Sequence, residues 1–466
     1  MTTIRRVKLF VILFLYIVVQ SCVYSYEFPF SSKYSSREPG SYSDGNVRYS
    51  QQNFSNNYDP STTASNKIDA SAMDVEEISE ESDLSRVKTL SNMYVINKFI
   101  HALDHLDRTL YTTTYATLSA ISPLERQVNG ISFALSGLFL QMALIALSTE
   151  VDPVTKAEID KCTGFKVSEQ NKIDILKSVT AWLPTSSDRL KFRYANRLVL
   201  RRGLQLSKKF LKGAVTAGGL KINHLNGTET AENLRNILNH MVEIDSGGAM
   251  HKTFDDDELS EGVCAVLIST LYVRARWRSP PTLLNGTFPF NDDERSPKRT
   301  ARMIRINDIM RYIDLKEWDA EALEIKYATT GLTLFLVVPR GRSLRNLAAL
   351  MAVTSVQSIA DRMQSKRIAA TLPLYTLRMT LLLPTKLQAL GIQQLVDVNN
   401  TKKCNGLKLS HAVQRIMFWA EAGRNAFKDD GIEWDETPEQ QIIFDRPYLF
   451  YVRWHNVTIL NGNFVL

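Results

Sequence analysis

Phe444-Asp445-Arg446-Pro447-Tyr448-Leu449-Phe450-Tyr451-Val452-Arg453 joins a proline, which cannot donate to a strand ladder, to an aromatic and aliphatic run that suits a buried strand. It lies in a strand-like segment, 442–453. Further strand-like segments precede it at 192–200, 263–273, 323–326, 332–338 and 368–372. Helical periodicity starts near Leu84, where Met93, Ile96, Phe99, Ile100, Leu103 and Leu106 recur three and four apart. Apolar helical patterns follow at 128–147, 232–244 and 344–351. Helices and strands mix without regular alternation, which predicts an α+β protein with large sheets and argues against a doubly wound nucleotide fold. No internal repeat interrupts this pattern.

At 466 residues the chain exceeds the usual size of one domain. Arg5, Arg6 and Lys8 precede an apolar run from Leu9 to Val19, and Ser21 and Ser25 offer small residues for cleavage, so 1–25 reads as a signal peptide. No later run reaches the length of a membrane span. Residues 26–83 are rich in Ser, Asn, Tyr, Asp and Glu with little apolar periodicity, the composition of a disordered extension. Its acidic end, 74–83, leads toward the first helix. That leaves 84–466 as a single folded domain.

A secreted route permits disulfides and glycosylation. Cys22 leaves with the signal or lies at its edge, so Cys162, Cys264 and Cys404 remain, an odd set from which no framework follows. Cys264, inside an apolar run, reads as a buried thiol. Sequons stand at Asn53, Asn226, Asn285, Asn399 and Asn456. The net charge of +7 is dispersed among many acids; its densest basic cluster is Arg201, Arg202, Lys208, Lys209 and Lys212. That cluster suits a glycosaminoglycan or another polyanion, with a plain solvated face as the alternative.

Enzyme templates are missing. There is no phosphate-cradling glycine loop ending in Lys-Ser/Thr, no Gly-x-Ser-x-Gly elbow and no zinc-protease helix. His101 and His105 stand one turn apart beside Asp104 but lack a third ligand, and Asp255-Asp256-Asp257-Glu258 lacks the glycine of a calcium loop. No catalytic residue, metal or cofactor is expected.

The Phe444–Arg453 segment resembles the signature of the serpin family, in which a loop re-enters the fold at an aromatic-x-Arg-Pro-aromatic turn and runs into a core strand. Other segments agree in the family's order. Ala195-Asn196-Arg197-Leu198 resembles a central sheet strand, followed by Lys209-Phe210-Leu211. Leu238-Asn239-His240-Met241-Val242 resembles a helix end, with Met where the family has Trp. Leu267 through Trp277 resembles the strand that in the family reads Val-Asn-Ala-Ile-Tyr-Phe-Lys-Gly-x-Trp, and Val337-Val338-Pro339 and Leu390-Gly391-Ile392 fit two landmarks. Leu407 through Val413 fits the strand before the hinge, and Asn456 through Gly462 the final strand. Coverage runs from about Met93 to the C-terminus. The resemblance implies a serpin fold: a large mixed sheet, two further sheets, about eight or nine helices and a reactive-centre loop at about 421–445.

Departures are informative. Ile121-Ser122-Pro123 resembles the end of the first strand, which implies an insertion before Thr155. Ser269 stands where the family has Asn and Gln414 where it has His, both beside the place where the sheet opens. In inhibitory members the cut loop enters the large sheet as a new strand, which needs small side chains at alternate positions. Here the hinge is Glu421-Ala422-Gly423, then Arg424-Asn425-Ala426-Phe427-Lys428-Asp429-Asp430-Gly431. One register buries Arg424, Ala426, Lys428 and Asp430; the other buries Asn425, Phe427, Asp429 and Gly431. Burying an unpaired charge costs several kcal/mol. The cleavage region falls at Asp435, Glu436, Thr437 and Pro438, with no Arg or Lys for a trypsin-like protease.

These features lead to a secreted glycoprotein without inhibitory activity that acts by binding. The alternative is a working extracellular serine-type endopeptidase inhibitor that serves as a suicide substrate. Expected partners are an extracellular protease or another protein ligand, and a glycosaminoglycan, with no nucleic acid.

Overall fold

A computed structural model describes residues 80–120, 132–216, 218–255, 259, 263–291, 299–396, 406–420 and 438–466. Helix α1 (Glu80–Ala120) opens the described chain. It buries Ile96, Phe99, Leu103, Leu106 and Leu110, the stripe that its spacing predicts. Strand β1 (Phe133–Leu135) follows, then α2 (Gly137–Leu147), buried along its whole length. The apolar run 128–147 is thus not one helix. Ser136 divides it: its hydroxyl caps α2 by accepting from Phe139 N, and the three residues before it pair with the last strand. Residues 121–123 lie outside the described residues, and the first described strand is Phe133–Leu135.

Helix α3 (Pro153–Cys162) starts on an Asp152 cap with proline in its first turn, and α4 (Glu169–Trp182) on a Ser168 cap. Strand β2 (Leu190–Arg201) leads to the short α5 (Lys208–Phe210), a π-turn at Leu211–Val215, and β3 (Leu220–Leu225). Helix α6 (Ala231–Ser246) is capped by Thr230 at one end and by Gly247, at φ +68°, at the other. It buries Leu234, Leu238 and Val242. Beyond it come β4 (Ala265–Ala275), β5 (Thr282–Leu283), β6 (Phe288–Phe290), β7 (Arg299–Ala301), β8 (Met303–Leu315), β9 (Ala320–Lys326) and β10 (Leu332–Pro339). Helices α7 (Arg345–Val353) and α8 (Val356–Ala360) precede β11 (Gln364–Pro373) and β12 (Tyr375–Leu382). Last come α9 (Pro384–Ala389), β13 (His411–Ala420), β14 (Gln440–Ile443), β15 (Tyr448–Trp454) and β16 (Val457–Phe464).

Three sheets result, as expected for an α+β chain, with nine helices among the described residues. The nine-stranded sheet runs β1-β16-β15-β10-β9-β8-β11-β14, with β5 on β8; the five-stranded sheet runs β12-β13-β4-β2-β3; β6 and β7 pair alone. The main core fills the space between the two large sheets, α1 and α2. A second cluster, Leu234, Leu238, Val242, Val266, Ile268, Val413 and Met417, joins α6 to the other face of the five-stranded sheet. Among the described residues no helix is long and apolar enough to cross a membrane.

The expected strand 442–453 is two strands. β14 pairs in parallel with β11, the chain turns at Phe444–Pro447, and β15 enters the centre of the sheet. Phe444 N donates to Thr371 O, Asn291 N to Asp445 O, and Arg446 Nη1 to Arg340 O, so the turn is tied to three separate segments. Gly462 permits β16 to meet β1: a Cβ there would stand 2.0 Å from the carbonyl oxygen of Phe133. Cys264 is buried, as expected, but is disulfide-bonded instead of a thiol; Cys162 is the free cysteine of the described residues. The partner of Cys264 lies outside them.

Candidate functional site

Strands β4 and β13 run parallel and are hydrogen-bonded directly to one another, from His411 opposite Val266 to Trp419 opposite Arg274. Residues 421–426, where the hinge is expected, follow β13 in the chain and lie outside the described residues. This seam is where a strand arriving from residues 421 onward would have to enter.

The two faces of the seam differ. Toward the main core point Ala412, Gln414, Ile416 and Phe418 of β13 and Leu267, Ser269, Leu271 and Val273 of β4, all buried. Toward α6 point Val413, Arg415, Met417 and Trp419, facing Ile268, Thr270, Tyr272 and Arg274. The outer face is covered unevenly: Val266, Ile268, Thr270, Val413 and Met417 are buried, whereas Arg415, Tyr272 and Trp419 are half-buried and Arg274 is exposed.

A polar row crosses the core face at mid-height. Gln414 stands opposite Ser269, and Ser269 opposite Asn196 of β2. The Gln414 amide grips the β1–α2 junction: Nε2 donates to Ser136 O at 2.9 Å, and Oε1 accepts from Ser136 N at 2.7 Å. Ser136 Oγ donates to Ile459 O at 2.6 Å, and Asn196 Nδ2 to Phe139 O at 2.9 Å. Ser269 Oγ and Asn196 Oδ1 are buried with no hydrogen-bond partner, a local cost in a face that is otherwise apolar. Gln414 and Ser269, singled out as departures, therefore share one row, and their partners Ser136 and Asn196 complete it.

α6 is anchored by charge as well as by its apolar stripe. Asp245, buried, accepts from Arg197 Nε at 2.9 Å, Arg197 Nη2 at 2.7 Å and Lys221 Nζ at 2.7 Å. The helix end is thereby fixed to β2 and β3 beside the seam.

Two further buried ionisable groups were not legible in the sequence. Arg453, the last residue of the quoted segment, donates to Glu324 Oε1 at 3.1 Å and to Asn456 O at 2.8 Å; Arg311 and Thr333 also serve Glu324. Asp107 accepts from Gly137 N at 3.0 Å and from Asn461 Nδ2 at 2.9 Å. Burial pushes its carboxyl up to about 8, against a smaller lowering by the Gly137 bond. Asp107 also borders a cleft of about 290 Å³ between α1 and α8, lined by His101, Gln357, Tyr451 and Thr458 among others.

The remaining expected sites are placed as follows. Glu421, Gly423, Arg424, Asn425 and Ala426 of the hinge, and Asp435, Glu436 and Thr437, lie outside the described residues; Pro438 is described, just before β14. Asn226, Asn285 and Asn456 are exposed, while Asn53 and Asn399 lie outside the described residues. The basic cluster gathers on the β2–α5 connection. Arg202, Lys208, Lys209 and Lys212 are exposed and Arg201 half-buried, and Lys209 pairs with Glu169, which also holds Lys156. His101 and His105 are exposed on α1, and among the described residues no three His, Cys, Asp or Glu are grouped to hold a metal.

Comparison with known proteins agrees with this architecture. Residues 116–465 match the family model described as Serpin (serine protease inhibitor). Serpin B12 of Homo sapiens is 23% identical over 335 residues, which cover 67% of this chain and 80% of that protein. The structure of Serpin48 from the insect Tenebrio molitor superposes with a TM-score of 0.65 at 17% identity, covering 79% of this chain and 98% of that one. Human thyroxine-binding globulin complexed with thyroxine superposes at 0.63 and 17% identity, covering 78% and 98%.

Proposed function

This chain belongs to the serpin family, and from that premise we propose that it is a secreted glycoprotein that acts by binding and does not inhibit proteases. The observation that carries this reading is the seam. Its core face is buried from end to end, and the chain that would fill it brings Arg424, Lys428 and Asp430 in the first register. A buried charge without its own partner costs several kcal/mol, and Gln414 and Ser136 already satisfy one another. The second register buries Asp429 in the core together with Asn425 and Phe427. A bound disulfide at Cys264, the basic and apolar leader and the exposed Asn226, Asn285 and Asn456 support secretion. The cleft beside Asp107, in a fold that carries thyroxine in another protein, supports a small-molecule ligand. The exposed Lys208 and Lys212 support a polyanion at the β2–α5 connection.

One observation favours the alternative, a suicide-substrate inhibitor. The upper outer face is partly open, so the second register leaves Arg424, Lys428 and Asp430 in contact with water.

Incubation with a panel of endopeptidases separates the two. The proposal expects loop cleavage without a denaturation-resistant covalent complex, and a melting temperature of the cut protein within a few degrees of the intact one. A covalent complex, or a large rise in melting temperature on cleavage, overturns it.

A further inference from the structure

The upper outer face of the five-stranded sheet is basic and aromatic. Reading across β12, β13, β4 and β2, one row holds Thr376, Trp419, Arg274 and Lys191; the next holds Arg378, Met417, Tyr272 and Arg193; the third holds Thr380, Arg415, Thr270 and Ala195. Five cations therefore stand on these twelve positions, with no carboxylate among them. Lys191, Arg193, Arg274 and Arg378 are exposed, and Arg415 is half-buried. Arg274 lies over the Trp419 ring, 4.9 Å from its centre. Arg193 lies against Gly247 at the C-terminal end of α6.

The described carboxylates nearby are engaged. Asp245 is held beneath α6 by Arg197 and Lys221, Glu243 by His251 at 3.1 Å, and Asp255 acts on Arg415. α6 ends at the edge of this face: its apolar stripe stops at Val242, and Gly247 closes the helix beside Arg193. Strands lie about 4.8 Å apart and a two-residue step is about 7 Å, so the array spans about 14 Å in each direction. That is the footprint of a peptide segment, far below the roughly 800 Å² per partner of a stable complex between folded proteins.

The geometry points to this face as a docking surface for an acidic, extended polypeptide segment of a partner protein, with an aromatic side chain seated beside Trp419. An extended chain repeats its side chains on one face every two residues. Lys191 and Arg193 match carboxylates at positions i and i+2, and Arg378 takes a third across the aromatic centre. The half-buried rings of Trp419 and Tyr272 between the charges offer an apolar floor that suits a peptide side chain better than a sulfated sugar. This inference rests on the described sheet face of the uncut chain, because a strand inserted between β4 and β13 would part Arg378 and Trp419 from Lys191 and Arg193.

The test uses the full chain and a labelled eleven-residue peptide with Glu at alternate positions and one central Trp, followed by fluorescence anisotropy. Saturable binding is expected, weakening steeply as salt rises. Lys191→Glu with Arg193→Glu and Arg378→Glu should bind at least tenfold more weakly while melting as the parent does. Arg378→Glu alone, at an exposed position, gives a second variant should the triple one fold poorly, and is expected to weaken binding severalfold. Lys208→Ala with Lys209→Ala and Lys212→Ala should leave affinity unchanged, and a peptide with Gln in place of Glu should not bind. Absence of peptide binding, equal binding by the triple Glu variant, or loss of binding to heparin oligosaccharide but not to peptide in that variant each overturns the assignment.

Discussion

Gln414 satisfies the amide and the carbonyl of a single buried residue, Ser136, and so links β13 to the strand–helix junction that begins α2. A side chain without an amide strands Ser136 N, at about 1–3 kcal/mol, while Ser136 O keeps its bond from Leu140 N. Gln414→Ala should therefore lose about 2 kcal/mol, read from urea unfolding, and an unchanged midpoint would show that water replaces the amide. Asp107 gives a pH signature. Its folded value of about 8 exceeds the ordinary carboxylate value near 4, so between those limits the native state holds a proton that the unfolded state has released. This contribution to stability is complete below about pH 4 and is lost as pH rises toward 8. Asp107→Asn, which keeps an acceptor for Gly137 N, should flatten that decline in thermal melts taken from pH 5 to 8.

Among the elements, α6 is the one whose removal the seam would feel first. Asp245→Ala leaves Arg197 buried without its partner and should cost about 3–5 kcal/mol. Hydrogen exchange in β2 and β4 should quicken with it, since the helix end loses its tie. Gly462→Ala should be worse, because its new methyl group meets the backbone of Phe133 and must part β1 from β16; little folded protein is expected on expression. Element identity was legible where the period was clean. α6 and β10 lie close to their expected spans, since Leu234, Leu238 and Val242 repeat at helical spacing and the β10 run is short and wholly apolar. The boundary at Ser136 was not, because 133–147 is apolar on both sides of it and a continuous run hides a change from strand to helix. Periodicity hides the break at Pro447 for the same reason, inside an aromatic stretch, and only the resemblance to an Arg-Pro turn marks it. Gln414 and Ser269 could be marked from the resemblance. Their partners could not, since Ser136 is 278 residues away from Gln414 and only the sheet register brings them together.

For the whole molecule, the question is whether five strands can become six. Both large sheets enclose one core, and the seam is the place where a new strand would separate existing neighbours without breaking the rest. Replacing Arg424 by Thr, Lys428 by Ala and Asp430 by Ala in one chain removes the charges of the first register. After loop cleavage this variant should melt at least 10 °C higher than its uncut form, whereas the parent should shift by only a few degrees; equal shifts would show that charge is not what holds the strand out. The basic face affected the sequence reading least, because Lys191, Arg193, Arg274, Arg378 and Arg415 come from four strands scattered over more than two hundred positions, and their adjacency exists only after folding.

The lower end of that same boundary has its own fastening. Ser410, just before β13, accepts from Cys264 N through its hydroxyl and donates from its backbone to Ala265 O, each at 2.9 Å. The two strands are thus riveted at the bottom, whereas at the Trp419 end the ladder is supplemented by the contact of Arg274 with the half-buried Trp419 ring. Any widening must travel downward from the top like a split in a plank, so a short entrant would disturb the upper rungs and halt at the Gln414 level, leaving the rivet untouched.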